Sequence, residues 1–188
     1  FEMLDLLEQL VDKSLITVEA DEAGNPRYTM IETVWHYSRE KLDKSSEAAT
    51  VRDRHLDYFL RFAEEAAPHL EGPEQRDWLD RCESDLFNFR FAAEWTIKSR
   101  KTEAGLRLLT ALYRLIEIRG NLAEGRDIGM SLLALPDSDV APKHKAASRI
   151  ALGRIAWAAD RYSDSRRFYA EAQQTYDAMD DEAGSALA

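Results

Sequence analysis

From residue 48 onward the apolar residues recur only at helical spacing, and near its end this pattern repeats after forty positions. Tyr113, Gly120, Leu122, Gly125, Gly129 and Leu132 fall opposite Gly153, Asp160, Tyr162, Ser165, Tyr169 and Ala172. Small residues recur where two helices must approach closely. A helix-turn-helix repeat of about 34 residues with a lengthened loop has this spacing. The added length falls in PDSDVAPK (136–143). A chain built this way buries each apolar stripe against the next pair, so it folds as a stack of neighbours.

The first forty-odd residues obey different periods. FEMLDLLEQLVDK places Leu4, Leu7, Leu10 and Val11 on one helical face. LITVEA (15–20) and RYTMI (27–31) alternate as strands do, and DEAGNP between them is dense in turn formers. The second strand runs into a helix marked by Val34, Tyr37, Lys41 and Leu42. The order is therefore helix, strand, strand, helix. KSSEAAT (44–50) reads as a linker, with Ser46 as the cap of the next helix.

That next helix, within 48–67, carries Val51, His55, Tyr58, Phe59, Phe62, Ala63 and Ala66 on one stripe. Pro73 is placed in the first turn of the following element. EQRDWLDRCESDLFNFRFAAEWTIKS then forms two helices or one bent helix. Four amphipathic segments complete the chain. The expected division is 1–43, a winged-helix remnant; 44–50, a linker; 51–100, a helical bridge; and 101–188, repeats at about 106–135 and 146–180, with another starting near 181.

Composition narrows the function. The net charge is −10, and residues 1–50 hold 5 basic against 11 acidic side chains, whereas residues 101–150 hold 8 against 6. An acidic surface repels a phosphate backbone, so direct nucleic-acid binding is not expected. The single cysteine, Cys82, rules out an internal disulfide and fits a reducing, cytoplasmic setting. No run of about 18 apolar residues spells a membrane span. The sequence opens at Phe1 rather than methionine, as an excised piece of a longer protein would.

Reaction chemistry is not written here. His36, His55, His69 and His144 lack the spacing of a zinc site, and no metal or cofactor is expected in this segment. Cys82 reads as the filler of a small apolar gap rather than a reactive thiolate. Glu64 and Glu65, or Asp80, Glu83 and Asp85, alternate with Arg61, Arg76 and Arg81 as on a solvated, paired helix face. Trp35, Trp78, Trp95 and Trp157 have apolar neighbours at helical spacing and read as packing residues rather than a platform for bases. No nucleophile elbow or serine-histidine-acid arrangement is present, and no catalytic activity is expected.

LGRIAWAADRYSDSRRFYAEA resembles the tetratricopeptide repeat, with Gly153, Tyr162, Tyr169 and Ala172 at its characteristic small and aromatic positions. Ser165 replaces the usual alanine there and Ala156 a usual aromatic. LLEQLVDKSLITVE followed by RYTMIETVWHYSREKL resembles the end of the winged-helix subdomain in bacterial STAND (NB-ARC-type) regulatory ATPases, the group of antibiotic-regulatory and some LuxR-like activators. The helical stretch through GPEQRDWLDR is similar to the segment after that subdomain in those proteins, while Phe87-Asn88-Phe89 departs from their pattern. The resemblance implies a mainly helical fold, with the hairpin-bearing remnant followed by a right-handed α-α superhelix. It also implies an ATP- or ADP-binding domain upstream; this chain has no phosphate-binding loop of its own.

In tetratricopeptide arrays the first helix of each repeat lines the concave surface. The resemblance therefore implies that Arg107, Arg114, Arg154 and Trp157 face a groove for a protein or peptide partner. Arginines there suit a carboxylate or phosphate; alternatively they pair with Glu117, Asp160 or other helix neighbours. DEAGSALA at the C-terminus reads as the start of another repeat, so an uncapped apolar face and self-association through it are expected. The expected role is a non-catalytic sensor scaffold of a signalling ATPase or transcriptional regulator. The alternative is a winged-helix module that binds DNA directly, against which the segment DEAGNPR offers one arginine.

Overall fold

The computed structural model describes residues 2–20, 24, 26–136 and 139–188. They fall into two units, residues 1–51 and 52–188. In the first, helix α1 (Glu2–Asp12) is followed by strands β1 (Ile16–Ala20) and β2 (Pro26–Met30) and by helix α2 (Glu32–Asp43). The strands pair antiparallel, with Ile16 opposite Met30 and Ala20 opposite Pro26. Ser14 at φ 55° turns the chain out of α1, and Ile16 is the buried residue of β1. Most of the expected turn DEAGNP, at Asp21–Ala23 and Asn25, lies outside the described residues.

Helix α3 (Ala48–Ala66) begins inside the polar stretch expected as a linker. The hydroxyl of Ser45, not Ser46, accepts from the Glu47 amide at 3.0 Å. After a 3₁₀ turn at Ala67–His69 come α4 (Gln75–Glu83), α5 (Leu86–Ser99), α6 (Thr102–Arg119), α7 (Leu122–Leu133), α8 (Pro142–Ala158), α9 (Tyr162–Asp177) and α10 (Glu182–Leu187). The described residues are mainly helical. Pro73 precedes the start of α4 rather than lying in its first turn, so it shapes the turn into the helix. Two separate helices, α4 and α5, replace the single bent alternative. Between them Ser84 turns its hydroxyl back onto the Arg81 carbonyl at 2.8 Å, and Asn88 donates to Asp85 at 2.7 Å.

Helices α6 to α10 start at residues 102, 122, 142, 162 and 182. This twenty-residue beat is the structural form of the forty-position self-similarity. It depends on small residues at the contacts. A β-carbon on Gly129 would lie 2.6 Å from Leu152 Cδ2 and 3.0 Å from Leu109 Cδ2, so glycine lets α7 settle between α6 and α8 without displacing either leucine.

Two apolar clusters hold the second unit together. Leu56, Phe59, Phe62, Leu79, Cys82 and Phe89 belong to the first, where Phe62 and Phe89 stack with centroids 5.5 Å apart. Leu106, Leu109, Leu132, Leu152, Ile155 and Phe168 belong to the second. Cys82 is fully buried and its thiol is pushed up to about 11, chiefly by burial, as a space-filling cysteine should be. Val51 and Tyr58, expected on the core stripe of α3, are exposed. The buried face is the narrower set Leu56, Phe59, Leu60, Phe62, Ala63 and Ala66, an i, i+3, i+4 ladder whose direction leaves Val51 and Tyr58 outside it.

Candidate partner-binding face

Helices α6 and α8 are the first members of successive pairs, and each leaves one stripe partly uncovered. On α6 this stripe includes Arg107, Thr110, Tyr113, Arg114 and Glu117; on α8 it includes Ala147, Ile150, Arg154 and Trp157. Residues three, four and seven apart share a helix face, which explains both sets.

Arg114 and Arg154 converge on one carboxylate. Arg114 Nη1 donates to Glu117 Oε2 at 2.6 Å within α6, and Arg154 Nη2 donates across from α8 to both oxygens of Glu117 at 3.3 Å. The Glu117 side chain is 15% exposed, so this pairing is largely shielded from water. Arg114 Nε is buried and has no hydrogen-bond partner among the described residues. Burial alone would lower the pKa of Arg154, but Glu117 reverses this by charge and hydrogen bond, and the net direction is upward.

Tyrosines frame the pair. Tyr113 donates to Glu71 at 2.9 Å, and its hydroxyl is pushed up to about 12 by burial first and then by that bond. Tyr169 of α9 lies against Gly153, where a β-carbon would stand 3.0 Å from Cζ. Its pKa is also raised, mainly by burial. Arg107 points to α3 instead, meeting Glu64 at 2.7 Å. Trp157 is 60% exposed and contacts Tyr162 edge to face, centroids 4.9 Å apart. Of the four tryptophans expected to pack inside, Trp78 and Trp95 pack partly buried against the first apolar cluster, and Trp157 does not.

The four sequence-selected residues thus lie on α6 and α8, and Arg114 and Arg154 meet through Glu117. Asp160, the other acid expected to pair with them, instead accepts from Tyr162 at 2.8 Å. The tyrosine frame was not singled out as a site from sequence. Its signal was present in the repeat comparison, where Tyr113 stands opposite Gly153 and Tyr169 opposite Gly129.

Residues 2–43 match the family model of the winged helix-turn-helix domain. Three mycobacterial proteins, one from Mycobacterium bovis and two from strains of Mycobacterium tuberculosis, are 36% identical to the chain over 125 residues. Each carries the name of an HTH-type transcriptional regulator. The alignment covers 66% of this chain and 14% of each relative, so the chain spans only a small part of their length. No solved structure matches.

The winged-helix segment is acidic and partly apolar on its surface. Helix α1, EMLDLLEQLVD, contains four acidic residues and neither lysine nor arginine. Met3, Leu4 and Leu6 on it are 69%, 59% and 54% exposed, and Val18, Tyr28 and Met30 of the hairpin are also exposed. Four carboxylates on α1 give this segment a negative surface. No helix among the described residues is long and apolar enough to cross a membrane.

Proposed function

We propose that this chain is the non-catalytic, helical-repeat regulatory arm of an HTH-type transcriptional regulator, and that a protein or peptide partner seats on the uncovered stripes of α6 and α8. The observation that carries this reading is the Arg114–Glu117–Arg154 cluster beside exposed Trp157, on the first helices of two successive pairs. An exposed tryptophan and partly buried arginines are the residue types on which interface energy concentrates. Partner binding at the repeats would bias a nucleotide-dependent switch located in a further domain, with residues 2–43 transmitting the change. The resemblances to tetratricopeptide repeats and to STAND-type ATPases are consistent with this reading. Similarity to the mycobacterial regulators supports the regulatory assignment.

The test is selection from a displayed library of random peptides on the folded chain. Peptides should be recovered whose binding is lost, by tenfold or more, when Arg154→Ala and Trp157→Ala are combined. Recovery of no peptide, or binding indifferent to those changes and to Arg107→Ala and Arg114→Ala, would overturn the reading.

Direct DNA binding is the second reading, favoured by the winged helix-turn-helix match at residues 2–43. The acidic α1 opposes it. A gel-shift titration with mixed-sequence duplex at low salt separates the two: the regulatory-arm reading expects no shift, because electrostatic attraction to any duplex is greatest there.

A further inference from the structure

The forty-residue equivalence pairs Ile116 of α6 with Ala156 of α8. Ile116 packs into both apolar clusters, and a β-carbon on Gly125 would lie 2.7 Å from its Cγ2. It fills the joint between the helices before and after it. Ala156 lacks the carbons to do the same. On the α7 side of Ala156 the structure has a cleft of about 370 Å³, between the first turn of α7 and the last turn of α8. Leu122, Ala123, Ala156 and Ala159 provide apolar walls, and Arg126 and Arg161 line it with them.

We infer that this cleft binds a small carboxylic acid with an apolar body of about eight carbons, a volume suited to ligand pockets of some 300 Å³ or more. The apolar chain covers Leu122, Ala123 and Ala159 above the buried Ala156, and the carboxylate takes N–H donors from the two guanidiniums. Arg126 meets Asp127 through Nε at 3.1 Å and Nη2 at 2.6 Å, and Arg161 meets Asp164 through Nε at 2.9 Å. A guanidinium carries five N–H donors, so both retain donors for an incoming acceptor. Asp127 is 66% exposed on its side chain, which makes its hold on Arg126 weak in water.

Carbonyls at the end of α8 are already occupied: Ala156 accepts from the amides of Ala159 at 3.2 Å and Arg161 at 2.8 Å. Leu122 and Ala123 are the first residues of α7, whose electropositive end borders the cleft. A cation of the same shape would meet two arginines and this helix end, so charge selects the acid over the amine. None of the cleft residues belongs to the peptide face, and the two sites stand independently.

The experiment is amide NMR of the 188-residue chain titrated with octanoate, and in parallel with octylamine. Octanoate should give saturable shifts centred on Ala123, Arg126, Ala156 and Arg161, and octylamine should give none there. Ala156→Ile, which restores the residue of the earlier helix, should weaken octanoate at least tenfold. Because Ala156 is fully buried, the exposed-site blocker Ala123→Leu is the second variant and should weaken binding without loss of the fold. Arg126→Ala combined with Arg161→Ala should abolish the preference for the acid. Scattered or unsaturable shifts, equal binding of the amine, or an Ala123→Leu chain that binds octanoate unchanged would each overturn the inference.

Discussion

Arg154 reaches from α8 across the pair boundary to Glu117 on α6, and the acceptor is more buried than the donor, at 15% against 42% exposure. Removing the arginine and removing the carboxylate are therefore unequal insults. Arg154→Ala deletes a half-exposed partner and leaves Glu117 still bonded to Arg114. Glu117→Ala leaves two guanidiniums without their shared acceptor, one of them with Nε already unsatisfied. The two guanidiniums left behind are 27% and 42% exposed, so water offsets part of the loss, which falls between the roughly 0 to 1 kcal/mol of an exposed ion pair and the roughly 3 of a buried one. Denaturant unfolding should rank Glu117→Ala clearly below Arg154→Ala. Equal losses would mean that Glu117 is solvated rather than shared.

Gly129→Ala tests how closely the helices interlock. In isolation the change favours a helix by about 1 kcal/mol. Here the new methyl points at Leu152 and Leu109, which are both buried, so neither can withdraw without displacing its own neighbours. Overpacking costs roughly 1 to 3 kcal/mol. A net loss is expected in urea unfolding, with a lowered midpoint. A raised midpoint would show that the propensity gain wins and the joint is slack.

Much of this architecture was legible because period and spacing report on backbone geometry. The forty-residue offset between Tyr113 and Gly153 became the regular starts of α6 to α10, and the switch from strand alternation to helical spacing marked the hairpin's end. Legibility failed where a side chain's neighbours lie far along the chain. Tyr58 fits the apolar stripe of α3 by type, but Phe59 and Phe62 find Phe89 on α5 and turn the helix so that Tyr58 faces outward. Tyr113 looked like repeat packing, and nothing local indicated that its hydroxyl would meet Glu71, 42 positions earlier. Trp157 looked like core by composition. It is outside because the inward positions of α8 around it are taken by Ile155 and Ala156.

Asp160 closes the turn after α8 in the left-handed region at φ 58°. A side chain there crowds the following backbone, and glycine removes that penalty at helix ends. The Asp160 carboxylate accepts from Tyr162 at an exposed site, where such a bond contributes little. Asp160→Gly should therefore stabilise the chain by about 0.5 to 1 kcal/mol, seen as a higher melting temperature. A fall would assign the Tyr162 bond more weight than its exposure allows.

His55 supplies the pH dependence. It lies on α3 against Phe59, centroids 4.5 Å apart, with Nε2 3.5 Å from Asn88 Oδ1 on α5. Burial lowers its pKa below the ordinary 6.5, although Asn88 and Asp85 pull the other way. The folded chain thus binds this proton less tightly than the unfolded chain does. Where unfolding takes up protons, stability rises with pH. The contribution of His55 is complete above about 6.5 and is lost as pH falls from there through the folded-state value. Unfolding free energy measured between about pH 7.5 and 5 should decline towards acid, and His55→Gln should flatten part of that slope while leaving the carboxylate-driven loss at lower pH. An identical slope in the variant would show that the ring is as well solvated in the folded chain as in the unfolded one.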